Sequence, residues 1–119
     1  MARLEHVNIS VADGAGFAAM LEAVFGWHIR WEGPSTDGQG YSRHVGEAGS
    51  YVAVYETGEP VTSGGVFNHL GVVVKDLDAV LARVEGYGLT SHHHADYEPG
   101  RRFYFMSREG VEIEVVDYA

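Results

Sequence analysis

The feature that most constrains this chain is a duplication. Leu4-Glu5-His6-Val7-Asn8-Ile9-Ser10-Val11-Ala12-Asp13 reads against Phe67-Asn68-His69-Leu70-Gly71-Val72-Val73-Val74-Lys75-Asp76, with both histidines and both aspartates 63 positions apart. Self-similarity at a fixed spacing means two copies of one supersecondary unit. Each copy opens with a β-branched run that predicts a strand, and each run closes on an Asp able to cap a following helix. Helical periodicity begins after each Asp. Phe17, Met20, Leu21 and Val24 fall at i, i+3, i+4 and i+7, and Leu77, Val80, Leu81 and Val84 repeat that spacing. Phe25-Gly26-Trp27 and Tyr87-Gly88-Leu89 then supply glycine where a left-handed residue ends a helix.

Three short strands are predicted after each helix. In the first copy they lie near His28–Trp31, Tyr41–Val45 and Tyr51–Tyr55. In the second they lie near Thr90–His94, Arg102–Met106 and Val111–Val116. The Gly-, Ser-, Thr- and Pro-rich stretch around 58–65 reads as a linker, so residues 1–119 divide into a module over 1–57 and a module over 66–119 within one domain. The expected fold class is α+β with mostly antiparallel pairing: two βαβββ modules forming a half-barrel, with the helices outside and a cavity inside. Sixteen glycines suit many tight turns between short strands.

Composition narrows the partners. A net charge of −9 with only eight Lys and Arg argues against nucleic acid, whose phosphates require a basic stripe. No apolar run is long enough to span a bilayer, and the start of the sequence lacks the apolar stretch of a signal peptide. The expectation is a soluble cytoplasmic protein. With no cysteine, disulfides and thiolate metal sites are excluded. A small molecule, a metal ion or a protein remains as the natural partner.

Four segments, in this order and at these separations, carry a family resemblance: Glu5-His6-Val7-Asn8, Phe25-Gly26-Trp27, Asn68-His69-Leu70-Gly71 and Arg108-Glu109-Gly110-Val111-Glu112-Ile113-Glu114. Over nearly its whole length the chain resembles the vicinal oxygen chelate superfamily. That group includes glyoxalase I, extradiol ring-cleaving dioxygenases, fosfomycin resistance proteins and bleomycin-binding proteins. The resemblance implies a metal site formed by His6, His69 and Glu114. Strand alternation supports the same three residues. If Val7, Ile9 and Val11 cover the helix, His6 faces the other way; Leu70, Val72 and Val74 do the same for His69, and Ile113 and Val115 for Glu114. Two imidazoles and a carboxylate with open positions suit a divalent ion such as Fe(II), Mn, Ni or Zn.

The same resemblance raises further residues. Glyoxalase I takes a fourth ligand from the last strand of its first module, near Glu56 here. Alternation instead turns Glu56 to the helix side with Val52 and Val54, unless the strand bulges. Extradiol dioxygenases carry a Tyr ten residues before the ligand Glu, where Tyr104 stands, and a His about twenty before it, where His94 stands. Tyr104 is therefore the candidate catalytic residue, its other reading being an aromatic packing residue. Tyr51, Tyr55, Arg102 and His94 are candidate substrate-binding residues, with Arg102 placed to hold an anionic substituent. His92-His93-His94 cannot all share one face of a strand, and His44 either lines the site or is structural.

Three functions remain open. The first is a metal-dependent enzyme acting on a substrate that chelates the ion through vicinal oxygens, either dioxygenase-like or lyase-like. The second is a metal-free binding protein holding a drug or metabolite between Trp31, Tyr41, Tyr51 and Tyr55. The third is a scaffold without a small ligand. A homodimer is expected, because small barrels of this type leave open sheet edges.

Overall fold

The computed structural model describes residues 5–35, 39–59, 67, 69–97 and 100–118. Most of the expected linker, and Leu4, Asn68 and Pro99, lie outside the described residues. The chain separates into two compact units, 1–62 and 63–119, and each is described by itself.

The first unit contains β1 (His6–Val11), α1 (Gly14–Phe25), β2 (His28–Pro34), β3 (Tyr41–Gly46) and β4 (Tyr51–Glu56). The second contains β5 (Leu70–Val73), α2 (Leu77–Gly86), β6 (Ser91–Tyr97), β7 (Gly100–Met106) and β8 (Glu112–Asp117). Both follow the predicted βαβββ order, with most strands running one to three residues longer than the alternation suggested. The sheets are ordered β1-β4-β3-β2 and β5-β8-β7-β6. In each, the first and last strands pair in parallel, His6 opposite Tyr51 and Gly71 opposite Glu114, while the other pairs are antiparallel. Each fold is thus a mixed four-stranded sheet with one helix, an α+β arrangement.

The helices start and stop where the sequence places the signals. Asp13 accepts a hydrogen bond from the Gly16 N–H at 2.9 Å, and Asp76 accepts one from the Ala79 N–H at 3.1 Å. Gly26 ends α1 at φ +73°, and Gly88 takes φ +87° just beyond α2. Phe17, Met20, Leu21 and Val24 are all buried, in a helix that packs against all four strands of its sheet. In α2, Leu77, Val80 and Val84 are buried but Leu81 is only half-buried.

Alternation along the strands divides each sheet into a helix-covered face and an open face. Ile9, Val11, Val52 and Val54 are buried in the first module, and Leu70, Val72, Ile113 and Val115 in the second. Phe103 and Phe105 are completely buried, whereas Met106, on the other face of β7, is 41% exposed. Each such buried side chain contributes about 1.5–3 kcal/mol. Among the described residues no helix is long and apolar enough to cross a membrane.

Replacing Phe103 by Ala is expected to cost about 3–5 kcal/mol, because it empties a ring-sized volume at the centre of the second core. Met106→Ala should cost less than about 1 kcal/mol at its exposed position. Urea denaturation of the two variants checks this; similar losses from both would mean that the second core is misassigned.

Candidate functional site

On the open face of the first sheet, alternation along β1, β4 and β3 and a bulge in β2 bring four rings into a row. His6 stacks on Tyr51, with centroids 4.9 Å apart and planes 12° from parallel. Tyr51 stacks on His44 at 4.5 Å, and His44 meets Trp31 at 5.0 Å with a 50° tilt. Because the sheet order is β1-β4-β3-β2, the row crosses the whole sheet. At the β1 end, Glu5 Oε1 lies 3.0 Å from His6 Nδ1 and 3.5 Å from the Tyr51 hydroxyl. Tyr55 lies farther along β4, across from Ser10 and Ser42. His44, an open question in the sequence, stands inside this row.

The bulge explains a residue that sequence reasoning missed. Ile29 pairs with Val45 but Trp31 pairs with His44, so β2 holds one extra residue, Arg30, between them. Strict alternation would send Arg30 and Trp31 to opposite faces. Instead the Arg30 guanidinium lies 4.7 Å over the Tyr51 ring while Trp31 meets His44.

Glu56 turns the other way. Its Oε1 accepts the Gly14 N–H at 2.9 Å, the Ala15 N–H at 3.3 Å and Arg43 Nη1 at 3.1 Å. The first turn of α1 contains no acidic residue, so Glu56 supplies from the sheet the negative charge that the helix N-terminus favours. Gly14 permits this approach: a Cβ there would sit 2.8 Å from Arg43 Nη1 and 2.9 Å from Glu56 Cβ.

The second module gathers the charged groups. Glu114 Oε1 stands 3.2 Å from His69 Nε2, and Glu114 Oε2 accepts a hydrogen bond from Arg102 Nη1 at 2.8 Å. The Arg102 and Glu114 side chains are 13% and 14% exposed, so the pair is well shielded from water. Arg102, expected to hold an anionic substituent of a ligand, is engaged with Glu114. The Tyr104 ring stands edge-on to His69 at 5.8 Å and nearly parallel to His92 at 6.1 Å. His92 Nε2 in turn lies 3.4 Å from Glu112 Oε2.

His94 does not join Tyr104. A bulge between His92 and Ala95, with His93 at φ +51°, shifts the strand by one residue. His92 keeps to the Tyr104 face. His94 stacks at 5.6 Å on the fully buried Phe103, and its Nε2 lies 2.7 Å from Ser91 Oγ. It borders a cleft of about 310 Å³ with Leu77, Asp96 and Arg101. Counting back twenty residues from Glu114 selected His94 because it assumed an unbroken strand; the bulge leaves His92 and His93 beside Tyr104 and turns His94 away.

Within either module alone, no three His, Cys, Asp or Glu side chains among the described residues gather closely enough to share one ion. The second module offers two donors as a pair, His69 Nε2 and Glu114 Oε1. Donors held at about 2.1 Å and at right angles around one ion sit about 3.0 Å apart, so their 3.2 Å separation fits neighbouring ligands of a divalent cation.

The sequence matches the family model described as the Glyoxalase/Bleomycin resistance protein/Dioxygenase superfamily over residues 3–115. The chain belongs to that superfamily. Among solved structures, this superfamily member is similar to a glyoxylase/bleomycin resistance protein/dioxygenase domain from Frankia sp. EAN1pec, at 16% identity and TM-score 0.83, covering 100% of this chain and 93% of that one. It is similar to TnmS3, an antibiotic binding protein from Streptomyces sp. CB03234, at 17% identity and TM-score 0.82, covering 100% and 98%. It is also similar to the E126Q mutant of the fosfomycin resistance protein FosX from Listeria monocytogenes, complexed with Mn(II) and 1S,2S-dihydroxypropylphosphonic acid, at 18% identity and TM-score 0.77, covering 98% and 90%. At these identities the likeness establishes the fold. No curated protein matches the sequence.

Burial and the nearby His6 and Arg30 lower the His44 pKa below its ordinary 6.5, with Glu5 opposing them. The folded chain therefore takes up this proton less readily than the unfolded chain, and stability that is full above about pH 6.5 declines as pH falls toward the folded value. Thermal melts from pH 7.5 to 5 should show a falling Tm, with a shallower fall in His44→Gln. An equal slope in both proteins would remove His44 as a source of acid sensitivity.

Proposed function

We propose that this superfamily member is a metal-dependent enzyme in which His6, His69 and Glu114 hold one divalent ion, Fe(II), Mn, Ni or Zn. Its substrate is a small molecule that offers two vicinal oxygens. The observation that carries this reading is the His69–Glu114 pair, two donors at ligand-to-ligand distance with the carboxylate already oriented by Arg102. His6 is the third donor of the reading, at the equivalent position of the first copy and on the face away from its helix. When bound, such an ion acts as a Lewis acid on the substrate oxygens. Arg102 holds Glu114 turned with Oε1 toward His69. Tyr104 offers a phenol beside His69, able to donate a hydrogen bond or a proton to a substrate oxygen. That FosX is described with Mn(II) and a dihydroxy phosphonate supports a divalent ion and an oxygen-rich ligand for the family.

Between the two enzymatic readings, the position of Glu56 favours the dioxygenase-like one. Its Oε1 serves the N-terminus of α1 and Arg43, which supports three protein donors rather than four. More open positions then remain for substrate and a co-reactant. A second reading, a metal-free binding protein of the cytoplasm, draws on the ring row His6–Tyr51–His44–Trp31 and on the antibiotic-binding relative.

Metal analysis of the purified protein, followed by titration of variants, tests the assignment. His69→Ala and Glu114→Gln should each weaken metal affinity at least about a hundred-fold, the upper end of what losing a group behind the ligands costs. Glu56→Gln should leave affinity nearly unchanged while weakening the start of α1. Retention of parental affinity by His69→Ala overturns the ligand set, and equal losses from Glu56→Gln and Glu114→Gln would favour the lyase-like reading.

We also propose a homodimer, because each four-stranded sheet has two edge strands that invite pairing. Sedimentation at micromolar concentration should give about twice the 13.0 kDa chain mass. A single species at the chain mass counts directly against it.

A further inference from the structure

We propose that Arg30 and Trp31 form a recognition platform for a planar aromatic anion, with the ring on Trp31 and the acid group at Arg30. This names the ligand class of the open face and rests on the reading that this face receives a small molecule.

Trp31 is the first observation. It is 50% exposed, an unusual state for a tryptophan in the middle of a strand. It is nevertheless held in place from two sides. Gly33 lies beneath it: a Cβ there would sit 3.0 Å from Cζ2 and 3.2 Å from Cη2 of the indole. The His44 ring braces it at 5.0 Å. The indole therefore lies along its own strand over a residue with no side chain and leaves ring surface to solvent. A fixed, half-exposed aromatic plane costs little ordering entropy when another ring settles on it, and such stacking is favourable beyond area burial alone.

Arg30 is the second. The β2 bulge puts it beside Trp31 on the same face, with its guanidinium 4.7 Å over Tyr51. Its chemistry differs from that of Arg43, Arg101 and Arg102, which pair with Glu56, Asp78 and Glu114 respectively. Among the described residues no carboxylate lies within ion-pair distance of Arg30. The neighbouring acids among the described residues are directed elsewhere. Glu32 receives the Tyr41 hydroxyl and lies near Arg43, Glu56 caps α1, and Glu5 is at the far end of the row against His6. In a chain of net charge −9, an exposed arginine with no carboxylate partner among the described residues, beside an exposed indole, is complementary to a ligand that is both flat and negative. A planar guanidinium suits a carboxylate or a phosphonate in the plane of such a ring.

Isothermal titration with 2-naphthoate, 2-naphthalenemethanol and cyclohexanecarboxylate, all with the metal removed by chelation, tests both halves of the platform. The first should bind saturably. The neutral alcohol and the non-aromatic acid should each bind about ten-fold more weakly or worse. Arg30→Gln should bring 2-naphthoate down to the level of the alcohol. Trp31→Leu should weaken both aromatic ligands, and Gly33→Ala should weaken them too by lifting the indole. Circular dichroism of each variant confirms that the fold is retained, and Arg30→Gln, at an exposed position, keeps the test valid if a Trp31 variant unfolds. The proposal is overturned if 2-naphthoate shows no saturable binding, if cyclohexanecarboxylate binds as well, or if Arg30→Gln binds 2-naphthoate as the parent does. The metal assignment is judged separately. Naphthoate binding in a protein that takes up no metal leaves the platform standing, and metal uptake without naphthoate binding removes the platform alone.

Discussion

Everything in this molecule follows from covering one face of each four-stranded sheet with one helix. The completely buried residues Phe103, Phe105, Ile113, Val115 and Val84 form that contact in the second module, and Leu21, Val24, Val45 and Val54 form it in the first. Side chains along a strand alternate, so burying one set commits the other set to the opposite face. That opposite set is Arg102 and Tyr104 on β7 and Glu112 and Glu114 on β8. In the first module it is His6 on β1, His44 on β3 and Tyr51 on β4. The candidate site is therefore the complement of the core. A substitution that shifted either strand by one residue would move both together.

Charge is allocated by the same division. The helix-covered side takes Arg43, Glu32 and Glu56, where a carboxylate from the sheet meets the N–H groups that open α1. The open side takes Arg102, Glu114 and His69, where the guanidinium sets the carboxylate and the carboxylate faces the imidazole. Both clusters use an arginine to orient a glutamate. They differ in what the glutamate then addresses: a helix end in one case, and in the other an imidazole at a distance that suits a shared cation.

The duplication extends to an irregularity. Each module carries one extra residue on the strand after its helix, between Ile29 and Trp31 in β2 and between His92 and Ala95 in β6. In both places the bulge turns two successive side chains to the open face, Arg30 with Trp31 and His92 with His93. An unbroken strand would present only one of each pair. The bulges thus increase the density of functional groups on the open face at the cost of a local break in pairing, and in β6 of a left-handed His93.

Much of this was legible in the sequence. The repeat, the helix caps at Asp13 and Asp76, the apolar faces of α1 and α2 and the orientation of Glu114 and Glu56 all arise from local periodicity, which residues impose on their neighbours regardless of the rest of the chain. What local periodicity cannot express was decided by tertiary structure. The parallel pairing of first and last strands requires contacts between residues 45 positions apart, such as His6 and Tyr51. The engagement of Arg102 with Glu114 depends on β7 and β8 lying side by side, and the removal of His94 from the Tyr104 face depends on a bulge that only pairing against β7 defines. Sequence determined which faces exist and which residues they carry; the hydrogen-bonded register between distant strands determined which of those residues meet.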